Sequence, residues 1–443
     1  MALLLDLTPL RASPPFRRLL IGLGISNLGS QLTVVAVGLQ VYAITGSTLS
    51  VGVLGICALV PLVLLGLYGG ALVDAYDRRR VALQSSLGLW VVTMALAAQA
   101  WLHVDSVLLL YALVAVQSAG FAINNPARSS IIPRLVEPRQ LPAANVLTTI
   151  ETNIALTVGP LVGALLVAVA DFGPAYTIDA VLFTAALWAL WRLPDLPPVG
   201  TGGADGADGA DGADGANGAD RSSKRGLASI IEGLHYLATR PNVRMTFVVD
   251  LIAMVFAMPR VLFPAVGVLF LGGGATTTGV LSAAYAAGAI LAGVFSGGLV
   301  RVRAQGTVIA AAILAFGASV AGFGGVLVAV GADRPTHVLL GALLLALVFL
   351  ALAGGSDSVS SVFRQTILQS ATPDQMRGRL QGVFIVVVAG GPRLGDLVLG
   401  SESSWFGEGW AAVAGGLTCM VVLAVVVGVQ RRFLRYDGLN PTP

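Results

Sequence analysis

Seven ionisable side chains stand inside stretches that are otherwise apolar: Glu151, Asp179, Asp250, Arg260, Asp357, Arg393 and Asp396. A charge in such a run is costly unless it has a partner, a water-filled cavity or a ligand, so each is a functional hypothesis by default. The carboxylates are the natural proton carriers, because a carboxyl group desolvated in a cavity can hold and release a proton there. Glu151 and Asp250 are the first candidates for that role, with a helix-to-helix hydrogen bond as their bland reading. Asp179 and Asp357 fall nearer the ends of their apolar runs and come second, with snorkelling to the interface as theirs. Arg260, Arg393 and Asp396 are the candidates for holding a substrate, since a guanidinium suits an anionic or catecholate group. Arg393 and Asp396 are also spaced i, i+3, and an intrahelical ion pair with no such role accounts for them equally.

The runs that carry these charges define the elements. Of 443 residues, 56% are hydrophobic and 11% charged, where soluble domains carry about 25% charge. Apolar stretches of about 20 residues recur from Arg18 onward, each long enough to cross a hydrocarbon core about 30 Å thick. They lack the alternating pattern of barrel strands, so helices are the remaining way to satisfy the backbone in lipid. Twelve spans are predicted, at 18–43, 49–73, 81–102, 106–128, 143–170, 174–191, 243–271, 275–300, 307–330, 337–361, 378–400 and 405–430. At 1.5 Å per residue Asp250 lies about 10 Å into the seventh span, with Arg260 deeper, near the depth of Arg393 and Asp396. All 26 basic residues then fall on one side, except Arg334 on the other and Arg260 and Arg393 within spans. By the positive-inside rule that side is the cytoplasm, and both termini are expected there. No small-residue cleavage site closes a short apolar region near Leu19, so the first span is expected to be retained.

Residues 193–242 interrupt this rhythm with a Gly-Ala-Asp tract from Gly203 to Asp220, a solvated linker by composition. After it Leu227, Ile230, Ile231, Leu234 and Leu237 share one helical face while Glu232 and His235 lie elsewhere, as expected of an amphipathic helix on the membrane surface. The linker separates an N-terminal bundle, 1–192, from a C-terminal bundle, 243–443, and the two echo one another. Glu137-Pro138-Arg139-Gln140-Leu141 after the fourth span matches Thr372-Pro373-Asp374-Gln375-Met376 after the tenth, and Gly69-Gly70-Ala71-Leu72-Val73 matches Gly297-Gly298-Leu299-Val300. A duplicated six-helix unit predicts a binding site near mid-membrane between the halves.

The loop after the second span reads Gly70-Ala-Leu-Val-Asp74-Ala-Tyr-Asp77-Arg78-Arg79-Arg80. From the residues alone, Gly70 permits close packing, Asp74 caps or pairs at a helix junction, and the arginines anchor at headgroups. The loop resembles the signature of the major facilitator superfamily, with Asp77 where glycine is commoner. In the fifth span Gly159-Pro160-Leu-Val-Gly163 resembles the motif of that superfamily's antiporters, with Ala164 in place of a second glycine. Arg260-Val-Leu-Phe263-Pro264-Ala265, the segment from Gly279 through Tyr285 to Gly288, and Gln365-Thr-Ile-Leu-Gln369 with Gly378-Arg379 resemble its enterobactin-exporter and drug-efflux branch. The resemblance implies an all-α membrane fold of two six-helix bundles, with the seventh and tenth helices lining the cavity. It also implies proton-coupled export of a small molecule by alternating access. Gly70, Asp74, Asp77, Arg78 and Arg79 would form a gating loop, with Asp74 near the start of the eleventh helix around Gly378.

Other chemistries find little to work with. The one lysine, Lys224, lies in the linker without a phosphate-cradling loop. No nucleophile, base and oxyanion set is visible, so an enzyme is not expected. Cys57 and Cys419 lie in apolar runs and define neither a disulfide framework nor a metal site. A net charge of +3 set by loop topology is not a nucleic-acid signal. The expected partners are a small-molecule substrate, protons and the lipid bilayer, with no cofactor but the proton gradient, in a monomer of the bacterial cytoplasmic membrane. A lysophospholipid or other lipid transporter of the same fold and a non-transporting membrane sensor are the competing readings.

Overall fold

The computed structural model describes residues 7–194, 232, 235–295, 302–371 and 374–437; at 66–75, 138, 142, 294–295, 369–370, 374–379, 381–386 and 389 it describes the backbone alone. After a short helix, Thr8–Ala12, come the crossings α1 Pro14–Thr45, α2 Thr48–Ala75, α3 Arg78–Trp101, α4 Val107–Leu135, α5 Leu141–Ala170 and α6 Phe172–Trp191. The second set is α7 from Pro241, α8 Gly274–Phe295, α9 Gln305–Val330, α10 Leu340–Ser370, α11 Asp374–Phe406 and α12 Glu408–Val429. Eleven helices among the described residues are long and apolar enough to cross a membrane. With α11 the count is the twelve expected, and the all-α membrane architecture holds.

Two helices run further than their apolar runs. The fourth was expected to end at 128 and continues to Leu135, and the tenth was expected to end at 361 and continues to Ser370. In both, hydropathy falls because polar side chains accumulate, and part of them, Ser360 and Arg364 on the tenth helix among them, are buried in protein. Arg128 and Arg364 therefore leave the set of topology-setting loop charges and lie inside helices.

By internal contacts the chain forms two units, residues 1–36 with 57–228, and residues 37–56 with 229–443. In the first, Gly163 lets α5 ride against the backbone of α1: a Cβ there would come within 2.8 Å of the Leu32 Cα, and one on Gly159 would strike Gln31. Pro160 between them removes one helical hydrogen bond from α5. Leu19, Ala82, Ala127, Ile131 and Leu190 fill the apolar core where α1, α3, α4 and α6 meet. Asp77 caps α3 by accepting from the Arg80 amide at 3.0 Å, a bond that stabilises a helix start by about 1 kcal/mol. A single residue joins α5 to α6 and another joins α11 to α12, Asp171 with φ 71° and Gly407 with φ 80°. With ψ −177° Asp171 lies in a region that glycine alone occupies readily, so this joint is strained.

In the second unit α8 and α10 approach backbone to backbone. A Cβ on Gly354 would strike the Tyr285 carbonyl oxygen, and one on Gly288 would strike that of Ala351. We expect Gly354→Val to destabilise by about 1–3 kcal/mol or more and to collapse the monodisperse peak on size exclusion in detergent. Gly341→Val, on the same helix but with nothing within 4 Å, should leave the peak unchanged; equal behaviour of the two would refute the close approach.

The seventh crossing is not one helix. Regular α-structure runs from Pro241 to Ala257, Met258 is extended at φ −78° and ψ 104°, and a 3-10 turn, Pro259–Leu262, leads through Phe263–Ala265 to a π turn, Val266–Phe270. The residue before a proline is driven out of helical conformation by the ring, so Pro259 sets the break at Met258. Arg260 sits on that irregular turn.

The linker tract from Gly203 to Asp220 lies outside the described residues, as do Leu227, Ile230, Ile231 and Leu234 of the expected surface helix. Its end is described: residues 235–239 are helical, Leu237 is buried, and Glu232 and His235 are exposed.

Candidate functional site

The tightest charged constellation lies in the second unit, on three helices. Arg364, 8% exposed on α10, makes an ion pair through Nη1 with Asp250 Oδ1 on α7 and stands 3.6 Å through Nη2 from Asp357 Oδ1. Tyr285 of α8 donates its hydroxyl to Asp357 Oδ2 at 3.1 Å. Asp357 and Arg364 are seven positions apart, two turns along one face of α10. The close approach of α8 at Gly288 and Gly354 brings the phenol to the carboxylate. Asp250 and Asp357, placed on a common path from the sequence, thus share one arginine.

One turn beyond the α7 break, the Arg260 guanidinium lies 5.1 Å from the centroid of the Tyr285 ring, within the distance at which a cation is held by a π face. Arg260 is exposed while Tyr285 is buried. On α11, Arg393 and Asp396 are fixed by their backbones. A Cβ on Gly395 would strike Met254 of α7, one on Gly52 would strike the Asp396 carbonyl, and one on Gly55 would come within 2.7 Å of that of Arg393. Both Arg260 and Arg393 lie near enough to act electrostatically on the Asp396 carboxylate. Among the described residues the expected i, i+3 pair of Arg393 and Asp396 does not close to ion-pair distance. The three substrate candidates form one group of two cations and one anion.

The first unit carries a second set. Asn27 of α1 donates its amide to Glu151 Oε1 on α5 at 2.8 Å, and Gly24 makes room for that carboxylate, a Cβ there coming within 2.8 Å of its Cγ. Arg128 of α4 donates to Ser86 Oγ on α3 at 3.2 Å and lies 5.8 Å from the Phe183 ring centroid. Asp179 of α6 is 0% exposed and accepts from Thr33 Oγ1 at 2.5 Å, with Gly29 of α1 against it. Asp179 is enclosed and bonded within protein, which the snorkelling reading does not fit, while Asp357 is partly exposed and bonded to Tyr285.

The gating-loop residues are divided. The side chains of Gly70 and Asp74 lie outside the described residues. Asp77 is the α3 cap, Arg78 donates to the Ser130 carbonyl at 3.2 Å, and Arg79 donates to the Trp191 carbonyl at 2.6 Å. These arginines bind exposed carbonyls near the ends of α4 and α6, a favourable place for cations, rather than only the headgroups expected for them. Gly159, Pro160 and Gly163 form the α5–α1 contact. Arg364, Arg128, Tyr285 and Asn27 were not singled out from the sequence. For Arg364 the signal was present: Asp357 and Arg364 two turns apart in a run with Ser356, Ser358, Ser360 and Ser361, a polar face rather than a helix end.

A family model described as transmembrane secretion effector matches residues 5–198. The enterobactin exporter EntS of Escherichia coli (strain K12) is 27% identical over 437 residues, covering 98% of this chain and 96% of that protein. The EntS of Shigella boydii serotype 18 is also 27% identical, over 97% and 96%. In fold, a crystal structure of a POT family transporter in complex with a thioalcohol-conjugated peptide matches with a TM-score of 0.69 at 12% identity, covering 94% of this chain and 96% of the other. The nucleoside transporter NupG matches with 0.64 at 12% identity over 95% and 98%. Helices long and apolar enough to cross a membrane, and a likeness over nearly the whole chain to the enterobactin exporters, make this chain a multi-pass membrane protein similar to membrane exporters.

Proposed function

We propose that this protein is a proton-coupled exporter of an anionic small molecule, a siderophore or related secondary metabolite, working by alternating access in the bacterial cytoplasmic membrane. The observation that carries the reading is the sharing of Arg364 by Asp250 and Asp357. Two carboxylates, Asp250 buried and Asp357 partly so, against one guanidinium leave one uncompensated negative charge, and withdrawing such a charge from water is costly. One proton removes it. Arg260, Arg393 and Asp396 form the substrate anchor, with the Tyr285 hydroxyl on Asp357 and its ring under Arg260 linking proton site to anchor. Glu151 and Asp179 are the carboxylates of the other half, Glu151 the accessible one and Asp179 enclosed.

In this reading both termini are cytoplasmic, the halves 1–192 and 243–443 alternate about the linker 193–242, and the protein acts as a monomer without a cofactor. Asp74 serves as a latch at the cytoplasmic end, and Gly159, Pro160 and Gly163 let α5 bend against α1. Enterobactin is the first substrate to try, because it is what the full-length relatives are named for exporting.

The test uses protein reconstituted in liposomes with an acidic lumen and pyranine trapped inside. Enterobactin supplied outside should accumulate only while the gradient lasts, with lumenal alkalinisation. Asp357→Asn should bind it and fail to couple. Uptake indifferent to the gradient would overturn proton coupling, and transport of lysophospholipid but not enterobactin would favour the lipid reading.

A further inference from the structure

The two halves of the fold correspond closely at two pairs of positions. Asp171 and Gly407, the one-residue joints with positive φ, are separated by the same number of positions as Arg128 and Arg364. Each arginine sits on the fourth helix of its half, toward the end that leads into Glu137-Pro138 in one and Thr372-Pro373 in the other. The two are counterparts, but their surroundings differ. Arg364 pairs with Asp250 and faces Asp357. Among the described residues Arg128 has no carboxylate within ion-pair distance: it donates once to Ser86 Oγ, and its Nε is enclosed without a partner. Ser86 is itself held by Asn124 at 2.7 Å. Glu151 acts on Arg128 only from a distance, and its Oε1 is occupied by the Asn27 amide.

A guanidinium offers five donors in a fork matched to carboxylate and phosphate oxygens. Arg128 spends one of them on a neutral hydroxyl, and its charge is met by nothing in contact but the face of Phe183. A partly buried cation in that condition lacks an anion, and its counterpart in the same molecule has two.

We propose that Arg128 binds an anionic oxygen group, a carboxylate or phosphate, which supplies in the first unit the counter-charge that Asp250 and Asp357 supply in the second. The anion can come from the transported molecule or from a phospholipid headgroup. The site stands beside the export reading and does not depend on proton coupling, since binding is measured without transport.

The experiment uses the full chain in phosphatidylcholine nanodiscs, titrated with benzoate and with inorganic phosphate while thermal unfolding is followed. Arg128→Gln should weaken the response to one of these probes at least about tenfold, and Arg128→Lys should keep part of it, having the charge without the fork. If the anion is a headgroup, neither probe shifts the wild type, and doping the discs with phosphatidylglycerol stabilises the wild type but not Arg128→Gln. Identical responses of folded wild type and Arg128→Gln to all three anions would overturn the proposal. Should Arg128→Gln not fold, the wild type alone decides: benzoate, phosphate or phosphatidylglycerol must protect Arg128 from phenylglyoxal as read by peptide mass spectrometry, and equal labelling with and without all three defeats it.

Discussion

Arg364→Ala is expected to remove most of the folded protein from the membrane. The substitution leaves Asp250 and Asp357 facing one another without the guanidinium that both of them approach. Breaking a buried ion pair from one side costs about 3–5 kcal/mol, against a total stability of about 5–15 kcal/mol for a typical folded protein. The check is membrane abundance and unfolding temperature, compared with the triple variant Arg364→Ala, Asp250→Asn, Asp357→Asn. The triple variant has no buried charge left to orphan and should recover abundance while failing to transport. Normal abundance of Arg364→Ala alone would mean that water or another cation reaches the carboxylates, and the cluster would lose its claim to be the coupling site.

Arg260→Ala should do the reverse, sparing the fold and removing transport of an anionic substrate. Arg260 is exposed, and its one described contact in the unit is the Tyr285 ring at 5.1 Å. A cation–π contact of this kind is worth about 0.5–1 kcal/mol at an exposed site and about 2 when desolvated. Hydrogen bonds from a charged donor contribute about 1.5–3 kcal/mol, so the substrate affinity should fall roughly ten- to a hundredfold. Binding and abundance are to be measured together. Unchanged transport would end the anchor role, and a loss of abundance would instead make Arg260 the structural partner of Asp396.

The sequence was most legible where one kind of evidence sufficed. Runs of apolar residues locate a helix that faces lipid, and α3, α6, α9 and α12 were read to within a few residues at either end. It was least legible where a helix turns polar because it faces protein. From Ser356 to Gln365 the tenth helix looks like the approach to a loop, yet it carries Asp357 and Arg364 and continues to Ser370. Arg128 was misread for the same reason, as one of a group of basic residues after the fourth span. Hydropathy averages over a turn and cannot separate a polar face from a polar end; periodicity can, and the spacing of Asp357 and Arg364 is the place where it would have. Helix depth, with the cavity-lining seventh and tenth helices that the resemblance implies, put Asp250 and Asp357 within reach of the same half of a pathway. That Tyr285 and Arg364 join them depends on glycines that let α8 and α10 touch, and no local pattern announces which glycines meet.

The one-residue joints at Asp171 and Gly407 have a mechanical consequence. A connection of that length has no slack, so the two helices of each hairpin must begin at the same level of the bilayer. They are not equally long. α5 has 30 residues to the 20 of α6, and α11 has 33 to the 22 of α12. At 1.5 Å per residue the surplus is about 15 Å in each hairpin, and all of it must appear at the end remote from the joint. Each hairpin is therefore level at its joint and extends at its other end as a longer α5 or α11. These longer helices begin at Leu141 and Asp374, directly after the two echoed Pro-containing segments. A helix end that outruns a hydrocarbon core about 30 Å thick meets water and headgroups rather than acyl chains, and α5 with its 30 residues from Leu141 has the length to offer such an end.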